Sequence, residues 1–512
     1  MQGSRVLLKG AAIMTAFSLL GKLLGVLLRL FLSSRIGSEG LGLYQLIMSV
    51  YGLFATFSTA GLTVAVSRLT AEKAERCLSD GVRTLRASLP LGLGISLVST
   101  AVLWGLAPLL AERAVGDGNT AASLRILAFS MPFMAVAACY KGWFIARRQV
   151  LRCSSASLFE QCVKFAVMAF FLTVAMANTN DPATLCMGIV LGVTVGEACS
   201  FLYLLCAYCF LKGRQKKKDF CPTESFGYSF RSLTAVAMPI GLSVVATSLL
   251  HTAENLLIPD AFEKYGGDRS GALSAFGMIR GMVIPLLFFP FAFLQSLVSV
   301  MIPEISRLGA AKGLGARDRQ IGRILSVAML FGVGTGGLFF FLPEAIGEAF
   351  YPGENTASAL RILAAVTPFM YVQTICDGLL KAVDGQKYTL RYSLYNSALR
   401  LTVIFLLIPY TGATGYLLLL VLSNTAEFCL CYFRLKKYAV FTVGGGKSVL
   451  GAVLCGCAAG LGARQITALP MLSAPISAAT AGTAVYLLLF LLLAKPLYRH
   501  LLPKKQKKEG IL

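Results

Sequence analysis

The sequence predicts an all-α integral membrane protein of about fourteen transmembrane helices, built as two pseudo-symmetric six-helix bundles plus two C-terminal helices. Three observations carry this expectation. The first is composition: of 512 residues, 56% are hydrophobic and only 14% charged, with a mean hydropathy of +0.72. A soluble chain of this length carries roughly 25% charged residues. The second is that apolar runs of about 20 residues recur along the whole chain, each long enough to span the hydrocarbon as a helix. They are continuous rather than alternating, which excludes a β-barrel. The third is an internal repeat.

The helices expected in the first bundle are 8–33, 41–67, 86–111, 122–146, 155–177 and 184–211. Arg5 and Lys9 precede the first stretch as they would in a secretory signal. That stretch runs on through Lys22 and Arg29 to Ile36 without a small-residue cleavage site, so it reads as a retained helix. The segment 212–228 carries Lys216, Lys217 and Lys218, then Cys221 and Pro222, and reads as a cytoplasmic linker. The second bundle follows as 230–258, 272–302, 321–342, 358–382, 390–410 and 413–434. Helices 447–464 and 472–496 echo nothing else in the chain and read as appended. The expected organisation is therefore a bundle at 1–211, a linker at 212–228, a bundle at 229–435, and two helices with a basic tail at 436–512.

The repeat can be read directly. Leu124-Arg125-Ile126-Leu127-Ala128 and Pro132-Phe133-Met134 recur 236 residues later as Leu360-Arg361-Ile362-Leu363-Ala364 and Pro368-Phe369-Met370. At the same offset Gly142 matches Gly378, Ser157-Leu158 matches Ser393-Leu394, and Lys164 matches Arg400. Ser67-Arg68-Leu69 returns as Ser306-Arg307-Leu308 and Glu197 as Glu427, each at a nearby offset. An even number of helices per repeat keeps both halves in one orientation, which gives a parallel pseudo-two-fold along the membrane normal.

The net charge of +23 first suggests nucleic-acid binding. Its distribution argues otherwise, because the basic residues form no single stripe with interleaved aromatics. They fall in every second loop, as in Arg83 and Arg86, then Arg147, Arg148 and Arg152, then Arg317, Arg319 and Arg323, and at the C-terminal Lys504 to Lys508. The opposite loops are short and often acidic, with Glu112, Asp117, Asp181, Asp260 and Glu344. This is the positive-inside pattern, and it places both termini in the cytoplasm.

Most of the 14 cysteines lie in apolar runs. Cys206 and Cys209 form a C-x-x-C one helical turn apart and read as small packing residues. No disulfide framework, metal site or resident cofactor is expected. Gly444-Gly445-Gly446-Lys447-Ser448 resembles a phosphate-binding loop, but Phe441 stands where its first glycine is required and no strand precedes it. No nucleophile–base pair or carboxylate pair sits in a loop large enough for a soluble active site.

Polar residues inside apolar helices are the informative positions, since each embedded charge needs a partner or water. Ser18, Lys22, Gly25 and Arg29 share one narrow face of the first helix. Gln45, Ser49, Gly52, Thr56, Thr59 and Thr63 share a face of the second. Ser243, Thr247, His251 and Glu254 do so on the seventh, and Arg280 lies beside Gly277 and Gly281 on the eighth. These helices hold equivalent places in the two halves, so their polar faces are expected to meet around a hydrated cavity. The expected lining is Lys22, Arg29, Gln45, Ser49, Thr56, His251, Glu254 and Arg280, a net cationic set suited to an anionic headgroup. Pairing of these charges with one another or with backbone carbonyls is the competing expectation. Glu160 and Lys164, spaced i,i+4, read as a structural pair, as do Lys141, Asp377, Glu197 and Glu427 in their own surroundings. His251 reads either as a proton-coupling residue or as a satisfied polar histidine.

Lys22-Leu23-Leu24-Gly25 through Arg29, then Gly37-Ser38-Glu39-Gly40-Leu41-Gly42-Leu43-Tyr44-Gln45, carry a resemblance, as do Ser58 to Leu62 and Val64 to Arg68. They resemble the polysaccharide-exporter branch of the MOP flippase superfamily, and within it the stage V sporulation protein B group. The resemblance is densest over 8–75 and reaches about residue 435 through the repeat. It implies a two-lobe fold with alternating access and the flipping of undecaprenyl-pyrophosphate-linked sugars such as lipid II. It also implies cations lining the cavity, a role that Lys22, Arg29 and Arg280 would take. Lipid II flippases carry an Arg-Asp pair at the end of the first-helix motif, whereas Arg29 is followed here by Leu30.

The expected function is transport of a lipid-linked anionic saccharide by alternating access, with membrane lipids and cell-wall synthesis enzymes as the other candidate partners and no nucleic acid. Membrane potential, a coupling cation (H+ or Na+) or consumption downstream would supply the drive. The rivals are a multidrug exporter of the same fold, a membrane glycosyltransferase or polymerase, and a non-transporting scaffold.

Overall fold

The computed structural model describes residues 2–59, 61–74, 78–175, 179, 181–214, 226–383, 385–441, 446–467 and 474–501. Its helices run α1 (Gln2–Thr59), α2 (Leu62–Ala74), α3 (Leu78–Leu110), α4 (Ala121–Ala128), α5 (Ser130–Ala146) and α6 (Val150–Phe170). They continue as α7 (Pro182–Arg214), α8 (Phe226–Gly266), α9 (Arg269–Gly277), α10 (Ile284–Lys312), α11 (Leu314–Phe341) and α12 (Pro343–Phe350). The last are α13 (Ala357–Ala382), α14 (Gln386–Leu406), α15 (Ile408–Lys436), α16 (Gly446–Thr467) and α17 (Pro475–Leu501). Among the described residues no strand occurs. Among the described residues eleven segments are long and apolar enough to cross a membrane, and each coincides with one expected span. The other three expected spans, 8–33, 41–67 and 390–410, lie on α1, on α1 and α2, and on α14 and the start of α15. The chain is thus a multi-pass helical membrane protein.

Two expected boundaries have a backbone cause. Gly37, at φ 63° and ψ −171°, splits α1 into two arms, and Gly412, at φ 60° and ψ −149°, splits the start of α15 in the same way. Glycine alone reaches this region cheaply. The expected helix 41–67 is corrected: the α1 helix ends at Thr59, Gly61 has φ 77°, and α2 starts afresh at Leu62. Thr63 therefore leaves the polar face assigned to it and donates to the Ala138 carbonyl at 3.2 Å.

Contacts gather the chain into two compact units, Met1–Gly277 and Met278–Leu512. In the first, α8 and α9 pack on α1, which groups them with the helices before the linker. The repeat boundary at 212–228 is a feature of the sequence, and most of that segment (215–225) lies outside the described residues, as do Gly444, Gly445 and the tail beyond 501. Within this unit Leu62, Val66, Trp143, Phe144 and Leu233 form a buried apolar cluster tying α2 and α5 to α8. Asp181 caps α7, accepting from the Thr184 backbone N–H at 2.9 Å and its hydroxyl at 2.6 Å, with Pro182 opening the helix. These bonds hold the Asp181 carboxyl below the usual carboxylate range. Cys206 and Cys209 are exposed on α7 rather than packed, which corrects that expectation. In the second unit Phe288, Phe291 and Phe331 surround the buried Tyr371.

The crossing of α1 and α9 is closer than side chains permit. A Cβ on Gly277 would overlap the Ser38 carbonyl oxygen, and one on Gly42 would overlap the Leu273 carbonyl. Beside them the Ser38 and Ser274 hydroxyls bond at 2.7 Å. Gly277→Val should therefore destabilise the protein by about 1–3 kcal/mol, the cost of overpacking, seen as a lower unfolding temperature of the purified chain. Gly105→Val, where a Cβ meets nothing within 4 Å, should leave that temperature nearly unchanged.

Candidate functional site

A polar cavity of about 400 Å³ opens between the second arm of α1 and the middle of α8, all within the first unit. From α1 come Gln45, Met48, Ser49, Gly52 and Thr56, which recur at three- and four-residue steps and so share a face. From α8 come Val244, Thr247, Ser248, His251, Thr252 and Asn255. Three cross-helix contacts frame it. Asn255 Nδ2 donates to Ser49 Oγ at 3.0 Å, Thr252 Oγ1 to the Ser49 carbonyl at 3.2 Å, and Ser248 Oγ to Thr56 Oγ1 at 3.4 Å. Ser49 Oγ in turn donates to the Gln45 carbonyl at 2.7 Å. Gly52 leaves a gap in this wall, since a Cβ there would meet nothing within 4 Å.

The structure thus brings together four of the eight expected residues: Gln45, Ser49, Thr56 and His251. Glu254 is fully buried and does not line the cavity; its Oε2 stands 3.7 Å behind His251 Nδ1. Lys22 and Arg29 sit on the first arm of α1 and do not line it either. Lys22 is half-buried and Arg29 exposed. Between them on the same face, a Cβ on Gly25 would meet nothing within 4 Å. Leu20 and Leu27, on the opposite face, are 50% and 46% exposed, and Phe31 anchors the arm on Phe165 of α6 at 5.7 Å. Arg280 belongs to the second unit, in a π-helical turn at Met278–Val283, with its guanidinium 5.9 Å from the Tyr416 ring centroid.

Sequence reasoning missed Ser248, Thr252 and Asn255. Their i, i+4, i+7 spacing was the available signal, but it runs beside the stripe containing Thr247, His251 and Glu254, and only packing tells which members of the two stripes line the space against α1.

A second polar constellation is structural. Lys164 Nζ lies 2.6 Å from Glu160 and 3.1 Å from Glu197, and Lys141 lies 3.8 Å from Glu160. The cluster joins α5, α6 and α7 where the surroundings are apolar. At the repeat-equivalent positions of the second unit, Asn396 Nδ2 donates to Glu427 at 2.6 Å, Arg400 Nε to Ser423 Oγ at 2.8 Å, and Asp377 accepts from Gln373 at 3.0 Å. The expected structural reading of these residues matches the partners they have.

Residues 7–309 match the model of a family described as polysaccharide biosynthesis protein. Among curated proteins the chain is 25% identical over 420 residues to stage V sporulation protein B of Bacillus subtilis (strain 168), covering 81% of this chain and 80% of that one. It is 20% identical over 483 residues to the lipid II flippase MurJ of the same organism, covering 86% and 84%. Among solved structures it superposes on an inward closed conformation of a lipid II flippase MurJ with a TM-score of 0.71 at 14% identity, covering 96% of this chain and 99% of that one. That likeness establishes a shared fold.

Proposed function

Since the chain belongs to the polysaccharide biosynthesis protein family, we propose that it flips a polyprenyl-pyrophosphate-linked saccharide, lipid II or a related precursor, across the bacterial cytoplasmic membrane. The observation that carries the proposal is the face of Lys22 and Arg29, two cations embedded in an apolar arm on a side where no protein packs against Gly25. A charge at the bilayer centre costs about 2.5–3.5 kcal/mol on insertion scales, so such a face is stable only toward water or an anionic partner. The pyrophosphate of a lipid-linked sugar is such a partner, bound by charge-assisted hydrogen bonds.

In this proposal the polyprenyl tail stays in lipid while the headgroup enters a hydrated space beside Lys22 and Arg29. Alternating access then carries it across without a continuous pore. The basic loops hold both termini in the cytoplasm. Membrane potential or an H+ or Na+ gradient supplies the drive, which weakens binding in the outward state. A multidrug exporter of the same fold would favour cationic drugs and an accessible acid. Here Glu254, next in sequence to the lining Asn255, is fully buried.

Reconstitution of the purified chain in liposomes with labelled polyprenyl-pyrophosphate glycans tests the proposal. Expected is protein-dependent appearance of the sugar on the opposite leaflet. Transport of cationic dyes with no movement of any lipid-linked sugar would refute it.

A further inference from the structure

The α1–α8 cavity differs in chemistry from the cationic face of α1. Among the described residues no lysine, arginine or carboxylate lines it. Its polar atoms are the hydroxyls of Ser49, Thr56, Thr247, Ser248 and Thr252, the amides of Gln45 and Asn255, and the imidazole of His251. A pyrophosphate carries several negative charges and gains most from fixed cations, which this wall lacks. A cationic drug gains from a carboxylate or the face of a Trp, Tyr or Phe ring, and among the described residues none of these lines it. Neutral hydroxyl and acetamido groups fit, because hydroxyls and amides both donate and accept. Met48 and Val244 add apolar surface of the kind that covers a sugar ring's C–H face or an acetamido methyl. At about 400 Å³ the space lies within the range of small-molecule sites.

We infer that this cavity is a saccharide subsite, which takes a neutral sugar unit, an N-acetylhexosamine above all, from the headgroup whose pyrophosphate meets the cations elsewhere. The inference rests on the flippase reading and adds to it a division of labour: charge is read by one set of residues and sugar by another. Such a site selects by hydrogen-bond geometry, since a ligand without the matching groups leaves desolvated hydroxyls unpaired.

Gly52 supplies the test. Its missing side chain keeps the cavity open, and a Cβ there meets nothing within 4 Å, so Gly52→Leu fills the space without a clash. Leucine also raises helix propensity, so the variant should fold. Gly105→Leu, on α3 and equally unhindered, is the control. Binding of two probes to the full chain in nanodiscs is compared: undecaprenyl pyrophosphate, and the same lipid carrying N-acetylglucosamine.

The native chain and Gly105→Leu should bind the sugar-bearing lipid at least tenfold more tightly than the bare one. Gly52→Leu should erase that preference and keep the native affinity for bare lipid. Equal affinity of the native chain for both lipids, or a preference that survives Gly52→Leu, overturns the saccharide subsite alone. Failure of the native chain to bind either lipid overturns the flippase reading together with the subsite.

Discussion

The double variant Lys22→Gln, Arg29→Gln should insert and fold normally yet transport lipid-linked saccharide at least about a hundredfold more slowly. Hydrogen bonds to charged groups contribute about 1.5–3 kcal/mol each, and about 1.4 kcal/mol is tenfold in rate, so losing two such contacts exceeds two decades if both act while the headgroup crosses. Stability should change little, because Arg29 is exposed, Lys22 is only half-buried, and glutamine keeps a polar side chain of similar reach at both positions. Initial rates in proteoliposomes, set beside unfolding temperatures, separate the two effects. Transport within twofold of native would show that these cations do not meet the headgroup.

Lys164→Met should act in the opposite sense, on stability first. Its ammonium stands between Glu160 and Glu197 with its side chain 13% exposed and theirs 10% each. Removing it leaves two nearly buried carboxylates close together, with Lys141 3.8 Å from one of them. Breaking a buried ion pair by deleting one partner costs about 3–5 kcal/mol. Lys164→Arg should recover much of the loss. So should the neutral combination Glu160→Gln, Lys164→Met, Glu197→Gln, since the penalty arises from unbalanced charge. Thermal or denaturant unfolding in detergent gives the measurement, and a cost under about 1 kcal/mol would mean the cluster is far more hydrated than its burial implies.

These two outcomes mark what could be read from the sequence. Apolar runs separated by basic and acidic loops placed the spans, and the breaks expected near residues 37 and 412 fall at glycines with positive φ. The Glu160–Lys164 contact followed from i,i+4 spacing alone. The addition of Glu197, 33 residues from Lys164, depends on how α6 packs against α7, which one helix's periodicity does not encode. The break at Gly61 was hidden because the hydrophobic pattern of 41–67 runs through it unaltered. Glu254 looked like a lining residue because it lies one turn from His251, yet it is fully buried while the His251 side chain is 56% exposed. A stripe read from spacing gives a face of the helix; which edge of that face is wet depends on the neighbouring helix.

Aqueous exposure of Lys22 and Arg29 is the most direct test. With all fourteen native cysteines replaced by serine or alanine, Lys22→Cys and Arg29→Cys are treated in liposomes with a membrane-impermeant thiol reagent. Leu20→Cys and Leu27→Cys, on the opposite face of the same arm, serve as controls. Positions 22 and 29 should react rapidly and be protected by added lipid-linked saccharide, while 20 and 27 stay unlabelled. Reaction at 22 and 29 only with a lipid-partitioning reagent, as at 27, would place the cations toward the bilayer and contradict the proposed function.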